Sequence, residues 1–576
     1  MKLAEALSAI QSASPGAASY TVLLACGFSP LHLQTFLAAH LQHALPGKKV
    51  SVTTGLYDDP AGTLEQIGQS GAQAGAFVLE WTDLDPRLGY RNLGGWGERL
   101  MPGILEAVEW KLQRLKAAIE RKPASFKLAV SLPTLPLMPA FHTAGWQASS
   151  AEIALEAMVA AFAAHAAKLP SVVLVNQKGL QTRSAPDTRY DFRADLHNGF
   201  PYTLKHADAV AEALAKLIQP PQPKKGLITD LDDTLWLGIV GEDGTDQVSW
   251  DLASHSQLHG LYQQMLNALA DQGVLLGIAS KNSTEVVERA LSRMDLVLAR
   301  ERVFPIEVHW EAKSGSVGRI LKTWNVGAES VVFVDDSPME LEEVRAVYPA
   351  MECILFPKSD YAAGFALLGR LRDLFGKAAL SEEDSYRLES IRQNHLFAEQ
   401  NGQGDLAEQF LSTAEATITI EFGPPASDNR ALELVNKTNQ FNLNGIRFTE
   451  AEWHEKLSDP LGFVVVLAYQ DKFGPLGKIA VIAGKQEDPT RLYIDTWVMS
   501  CRAFSRRIEH QCLARLFERF GTNEMRFHFQ STPKNAPLQD FLASLLDKPP
   551  GAETCLTREA FSAKSPKLYQ KVIETT

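Results

Sequence analysis

Four short apolar runs, Gly226-Leu-Ile-Thr229, Val274-Leu-Leu-Gly-Ile278, Val331-Val-Phe-Val334 and Cys353-Ile-Leu-Phe356, are separated by stretches with helical periodicity. Runs of this length are strands, and strands that alternate with helices are joined by crossovers rather than tight hairpins. They therefore pack as parallel neighbours with helices on both faces. A doubly wound α/β domain is predicted over residues 221–375. The same rhythm fills residues 1–220, with runs such as Tyr20-Thr-Val-Leu-Leu-Ala-Cys26, Ala76-Phe-Val-Leu-Glu80, Lys127-Leu-Ala-Val-Ser131 and Ser171-Val-Val-Leu-Val175. Between the two lies Gln219-Pro-Pro-Gln-Pro-Lys-Lys225, where proline and charge mark a linker.

A polar helical connector is predicted over 376–412. Beyond it, over 413–576, strand patterns return as Ala416–Glu421, Phe463–Ala468, Ile479–Ile482 and Leu492–Asp495. Gly474-Pro-Leu-Gly477 joins the second and third of these, which predicts a hairpin and a mixed or antiparallel sheet. The expected class is α/β and multidomain. No apolar run reaches the length of a membrane span, and the N-terminus lacks a basic region followed by an apolar one. The five cysteines, 26, 353, 501, 512 and 555, form no C-x-x-C pair and are odd in number, against a disulfide framework or a zinc site. A formal net charge of −12 disfavours nucleic acid as a partner. A cytoplasmic enzyme without membrane attachment is expected.

The run Leu227-Ile-Thr-Asp230-Leu-Asp232-Asp-Thr-Leu-Trp236 ends in carboxylates. Open α/β sheets bind ligands outside the carboxyl ends of their strands, so chemistry is expected there. A spacing of two sets Asp230 and Asp232 on one side of the strand end: one attacks phosphorus, the other donates a proton to the leaving oxygen and later deprotonates water. Carboxylates packed together need a cation, and a second acidic pair, Asp335-Asp336, ends the run Val331–Val334. Magnesium held by Asp230, Asp232, Asp335 and Asp336 is therefore expected. Between them Ser280 offers a hydroxyl to a phosphoryl oxygen, and Lys313 can neutralise developing charge. Any one of these acids alone reads more readily as a helix cap, and it is the four elements in order that favour chemistry.

The order D-x-D-x-T, then serine, lysine and a DD pair resembles the haloacid dehalogenase (HAD) superfamily, which implies Asp230 as nucleophile and Asp232 as acid and base. The interval from Trp236 to Ser280 is short, so little or no cap domain is expected over the site. The flanks, Asp233-Thr-Leu-Trp-Leu-Gly-Ile-Val-Gly-Glu-Asp-Gly244, Ser280-Lys-Asn282, His309-Trp310 with Lys313, and Phe333-Val-Asp-Asp-Ser-Pro-Met-Glu340, resemble the FkbH-like family. The likeness continues in Leu434-Val-Asn-Lys-Thr-Asn-Gln-Phe-Asn442, Val498-Met-Ser-Cys-Arg502 and Pro533-Lys-Asn535, similar to an acetyltransferase-like (GNAT-like) C-terminal half. It extends also to Trp81-Thr-Asp-Leu-Asp-Pro-Arg87 and Gly94-Gly-Trp96 in the N-terminal region. The resemblance implies removal of phosphate from a phosphorylated three-carbon acyl donor such as 1,3-bisphosphoglycerate. The glyceryl unit would then be loaded onto the phosphopantetheine arm of an acyl carrier protein, as in polyketide biosynthesis. Thr234, Lys281, Asn282, Asn439 and Arg502 become candidate substrate-binding residues. The rival reading is a phosphatase of a small metabolite or sugar with accessory binding domains.

This chain departs from the family pattern in having Lys225-Gly226 where relatives carry Lys-Cys, and Asp233 where they carry Asn. The remaining candidate for a thioester is Cys501, whose neighbours Arg502, Arg506 and Arg507 can lower a thiol pKa; the alternative is a small buried hydrophobe. The segment Cys501–Glu509 has no glycine, unlike the usual pyrophosphate cradle at a helix N-terminus, so ordinary acetyl-CoA binding is not expected. In the first domain, Ser29 after the first strand and His206 before a closing helix resemble a degenerate SGNH hydrolase. The acid three residues before the histidine is replaced by Thr203. A binding or scaffolding role is expected, with Ser29 capping a helix, His206 packed, and Trp81–Trp96 as a binding loop.

Overall fold

The computed structural model describes residues 1–576 apart from 14–15, 94–95, 140–142, 378–379, 381–383, 385–386, 393–407, 409–410, 426–427, 473, 501–502, 505, 553 and 576. It divides into two compact units, Met1–Pro221 and Gln222–Thr576.

In the first unit β1 (Ala18–Ala25), β2 (Lys48–Thr54), β3 (Ala74–Val78), β4 (Lys127–Ser131) and β5 (Val172–Leu174) form a parallel sheet in the order β2-β1-β3-β4-β5. Every residue of β3 is buried, as expected of a central strand covered on both faces. Helices Leu31–Ala44 and Leu204–Ile218 cover one face, Met101–Glu120 and Ser150–Ala166 the other. The order reverses between β1 and β3, and there the strand ends open into a 310 Å³ crevice lined by Glu80, Trp81, Asp83, Tyr90 and Tyr190 among others. Part of Trp81–Trp96 thus lines a cavity; Gly94 and Gly95 lie outside the described residues.

Ser29 does not cap a helix. The helix Leu31–Ala44 begins after Pro30 with no side-chain cap, and the Ser29 backbone N–H donates to Gly199 O at 3.0 Å. His206 is fully buried, and both ring nitrogens are engaged, with Thr134 Oγ1 at 2.8 Å and Ser184 Oγ at 3.0 Å. Thr134 and Tyr202 hydroxyls both donate to the buried Glu80 carboxylate at 2.6 Å. The imidazole is thus part of an internal network, and burial pushes its pKa down to about 3. Thr203, where a triad acid would stand, caps the His206 helix by accepting from His206 N.

The second unit holds two sheets. The first joins β6 (Gly226–Thr229), β7 (Leu275–Ser280), β8 (Val303–Val308), β9 (Val331–Asp335) and β10 (Glu352–Leu355), all parallel, in the order β10-β9-β6-β7-β8. Helices Lys313–Trp324 and Pro338–Val347 pack on one face; Gln257–Asp271, Thr284–Leu291 and Tyr361–Phe375 pack on the other. Gly226 is explained by this packing. A Cβ there would stand 2.5 Å from the Trp324 ring, and one at Gly277 would stand 2.9 Å from it, so the buried indole occupies the space that a cysteine at 226 would need.

The second sheet is mixed, in the order β16-β15-β14-β13-β12-β11-β17. Its strands are β11 (Thr417–Phe422), β12 (Gly462–Asp471), β13 (Gly474–Asp488), β14 (Arg491–Met499), β15 (Glu524–Phe527), β16 (Thr554–Thr557) and β17 (Lys571–Thr575). β12 and β13 form the expected hairpin, but the chain turns between Asp471 and Gly474. Gly474–Gly477 lies within β13, where the register shifts. β14 and β15 pair in parallel only over Arg491–Ile494 with Glu524–Phe527. Beyond that point the segment Phe441–Leu443 takes the free edge of β14: Leu443 N donates to Trp497 O at 2.9 Å and Met499 N to Phe441 O at 3.0 Å. Most of the predicted connector 376–412 lies outside the described residues, and no helix among the described residues is long and apolar enough to cross a membrane.

Candidate active site

Asp230 directly follows β6, its N–H donating to Val334 O at 3.0 Å, so the backbone of β9 holds it in line with the sheet. Asp335 ends β9, and Lys313 opens the helix Lys313–Trp324. Lys313 Nζ lies 2.9 Å from Asp230 Oδ2 and 2.6 Å from Asp335 Oδ2, and it also contacts Glu340 on the following helix. All four side chains are nearly buried, at 3% exposure for Lys313, 9% for Asp230, 0% for Asp335 and 13% for Glu340. Fully ionised, they carry a net charge of −2.

That imbalance governs the titration. Burial pushes Asp230 up to about 7, against the pull of Lys313 and with help from Asp335. Burial likewise raises Asp335 to about 6, with Lys313 opposing. Burial disfavours the Lys313 ammonium, but Asp230, Asp335 and Glu340 outweigh it and hold the pKa above the usual lysine value. Asp230 Oδ1 is buried with no hydrogen-bond partner among the described residues. Asp230, Asp335 and Glu340 each offer an oxygen within 4.8 Å of the others. Three hard oxygen donors, an unpartnered carboxylate oxygen and a deficit of two positive charges fit a divalent cation.

Asp232 and Asp336, expected among the metal ligands, stand apart from this cluster. β6 ends at Thr229, and Asp233 adopts a left-handed conformation (φ 51°), so the chain turns before the alternation of a strand can align Asp232 with Asp230. Asp232 Oδ1 accepts from Trp236 Nε1 at 2.9 Å and Val240 N at 3.0 Å, and Oδ2 accepts from Asn282 Nδ2 at 2.8 Å. Asp336 pairs with Lys358 at 2.5 Å and accepts from Thr234 Oγ1 at 3.4 Å; Lys358 also holds Asp233 at 2.7 Å. Ser280 is buried at the end of β7, with Asn282 Nδ2 3.4 Å from its hydroxyl. Lys281 pairs with Glu340 at 3.0 Å. The interval Asp230–Ser256 forms turns, one short helix and a Leu237–Ser249 bridge rather than a separate cap domain.

No family model matches the chain, and no curated protein matches it. Among solved structures it is similar to the N-terminal part of the protein BF1531 from Bacteroides fragilis, described as containing a phosphatase domain complexed with Mg. That similarity covers 66% of this chain and 100% of the other at 17% identity and a TM-score of 0.52. At that identity the likeness is one of fold. An uncharacterized protein from Corynebacterium glutamicum, 15% identical over 27% of this chain and 98% of its own, has a TM-score of only 0.19 and carries no argument.

Among the described candidates of the C-terminal half, Asn439 does not join the Asp230 cluster. Asn439 accepts from Arg447 Nη2 at 2.6 Å and lines a cavity beside Lys225 and Leu275, at the amino ends of β6 and β7 and so across the sheet from Asp230. Cys501 and Arg502 lie outside the described residues. Arg506 is buried 3.6 Å from Asp471, and Arg507 binds Glu408 and Lys567 O. Glu340 and Lys358 are the charged groups of the site that sequence reasoning did not assign. Glu340 was visible only as a neighbour in the Asp335 motif, and Lys358 carried no motif.

Proposed function

We propose that this chain is a magnesium-dependent phosphatase that forms an aspartyl phosphate on Asp230. The observation that carries this reading is the buried set Asp230, Lys313, Asp335 and Glu340, with its net charge of −2 and its unpartnered Asp230 oxygen at the carboxyl end of a parallel sheet. Asp230, Asp335 and Glu340 would hold Mg2+, which when bound supplies charge neutralisation for the phosphoryl oxygens. A carboxylate oxygen of Asp230 bonds to phosphorus while the bond to the leaving oxygen breaks, and Asp232 gives that oxygen a proton. Asp232 then takes a proton from water, whose oxygen attacks the aspartyl phosphate and frees inorganic phosphate. Asn282, Trp236 and Val240 N fix the Asp232 carboxyl for both transfers. Ser280 and Lys313 are suited to phosphoryl oxygens. The Mg-complexed phosphatase domain in the Bacteroides protein, similar in fold, supports the same class of activity.

Within that class, the flanking motifs shared with the FkbH-like family favour a phosphorylated three-carbon acyl donor, with an acyl carrier protein as acceptor. The rival is hydrolysis of a small phosphorylated metabolite or sugar. The test is intact-protein mass spectrometry of the chain and a holo carrier protein after incubation with Mg2+ and 1,3-bisphosphoglycerate made in situ. A glyceryl adduct on the carrier, lost in Asp230→Asn, supports loading. An additional adduct on the chain, absent in Cys501→Ser, assigns the thioester. Phosphate release with no adduct on either protein selects the simple phosphatase, and no phosphate release from any substrate in the unmodified chain rejects both.

A further inference from the structure

Three segments from the C-terminal half, Leu434–Asn442, Val498–Arg502 and Pro533–Asn535, take no part in the Asp230 chemistry, yet their described residues converge. Some of them are structural. Asn442, Asn444 and Asn535 are buried: Asn535 Nδ2 donates to Asn442 O and Gln530 O at 2.9 Å, and Asn444 Nδ2 donates to Asp495 O at 2.8 Å and His528 O at 3.1 Å. These amides lock Phe441–Asn444 between β14 and the end of β15. The remainder, Lys437, Thr438, Asn439, Gln440, Ser500 and Lys534, line a 340 Å³ cavity whose far wall is the amino edge of the β6 sheet.

The lining has a definite chemistry. Five cationic side chains, Lys225, Arg387, Arg430, Lys437 and Lys534, face two carboxylates, Glu329 and Glu433, in a chain whose net charge is −12. Both carboxylates are already engaged, Glu329 by Lys534 at 2.7 Å and Glu433 by Arg430 at 2.6 Å and by Lys437. Arg387 is in turn paired with Asp384 at 2.7 Å, so the lining keeps a surplus of two positive charges, which matches a phosphate monoester, carrying about −1.5 to −2 at neutral pH, better than a single carboxylate. Gln440 Oε1 is buried beside the cavity with no hydrogen-bond partner among the described residues, a costly arrangement unless a ligand donor completes it. The volume lies at the lower end of the range of about 300–1,000 Å³ typical of small-molecule sites.

We propose that this cavity binds a small phosphate monoester, its phosphate against the lysine and arginine side chains and an N–H or O–H group donating to Gln440. It is a second phosphate-ester site, across the β6 sheet from Asp230, and it does not depend on the phosphatase assignment. The probes are 4′-phosphopantetheine and adenosine monophosphate, each against its unphosphorylated counterpart. They are titrated by calorimetry into the full-length Asp230→Asn chain in EDTA, so that hydrolysis and metal-assisted binding at Asp230 are suppressed. At least one phosphorylated probe should bind tenfold or more tighter than its counterpart, and the preferred probe tells a flexible amide arm from a nucleotide. Lys534→Glu should weaken that binding tenfold or more and Gln440→Leu several-fold. The same two substitutions in the otherwise unmodified chain should leave phosphate release from p-nitrophenyl phosphate unchanged. Gln440→Leu should keep or raise the melting temperature, since it removes an unpartnered buried acceptor. Absence of any phosphate preference overturns the proposal. So does binding that survives both substitutions but is lost in Lys313→Met, or a lowered melting temperature in Gln440→Leu, which marks that side chain as structural.

Discussion

Replacing Lys313 by methionine keeps the length and apolar stem of the side chain and removes only the ammonium. Three carboxylates then face one another at 9%, 0% and 13% exposure, with Lys281, 3.0 Å from Glu340, left at their edge. Removing one partner of a buried ion pair costs about 3–5 kcal/mol, because the remaining charge stays desolvated. Proton uptake limits the loss: Asp230 already titrates at about 7 with Lys313 present, and its pKa rises further without it. The deficit is therefore largest above pH 8 and shrinks on acidification, since the folded variant binds protons that the unfolded chain, with ordinary carboxyl pKa values, does not. With an unfolding entropy of about 2.1 cal/mol/K per residue, the unit Gln222–Thr576 that holds Lys313 shifts by about 1.3 °C per kcal/mol, which converts this to a fall of roughly 4–7 °C in melting temperature. Differential scanning fluorimetry in EDTA at pH 8 and pH 5.5 reads it, and excess Mg2+ should restore part of the loss by binding only the folded form. A variant that melts within about 2 °C of the unmodified chain at pH 8, or whose deficit grows at pH 5.5, refutes the reasoning.

Gly226→Val should cost about 1–3 kcal/mol through overpacking against Trp324, measured by denaturant unfolding; an unchanged midpoint means the indole has room to move. Asn535→Leu leaves Asn442 O and Gln530 O unpaired in the β14–β15 gap and should cost about 1–3 kcal/mol per unsatisfied group, with hydrogen exchange accelerating in Phe441–Asn444. The His206 ring should stay neutral in nitrogen-15 spectra down to pH 4, whereas protonation near 6.5 contradicts its burial. Because the unfolded imidazole takes a proton below about 6.5 and the folded one only near 3, this residue's contribution to stability falls as pH drops through that window. Asp83, pushed up to about 7 by burial, contributes with the opposite sign, so a bulk melting curve blends the two and the single ring must be observed directly.

Asp230, Ser280 and Asp335 were legible because each stands where an apolar run stops, and an apolar run of strand length can only end at the rim of a sheet. Lys313 was legible by order alone. Glu340 was not read as part of the site, since it lies five residues beyond Asp335 and reaches Lys313 only through the direction taken by the helix Pro338–Val347. The structure sets Asp232 and Asp336 apart from the Asp230 cluster for a related reason. Strand alternation was extrapolated past the last strand residue, where a left-handed turn at Asp233 and the outward step after Asp335 carry these carboxylates to Trp236, Asn282 and Lys358. Strands Lys48–Thr54 and Val303–Val308 went unread. In the first, lysine and threonine dilute the apolar signal of an edge strand; in the second, Pro305 interrupts it.

The sequence by itself determined the alternation of strands and helices, the three sheet regions and the rim on which the acids stand, because these follow from local periodicity and from the ends of apolar runs. Only the tertiary structure decided which carboxylates come together around Lys313, why Gly226 must lack a side chain, and that Phe441–Asn444 fills the gap between β14 and β15 while Gln440 is left beside a basic cavity. Those outcomes depend on residues distant in the chain being forced into the same small volume, and local pattern carries no record of which will meet there.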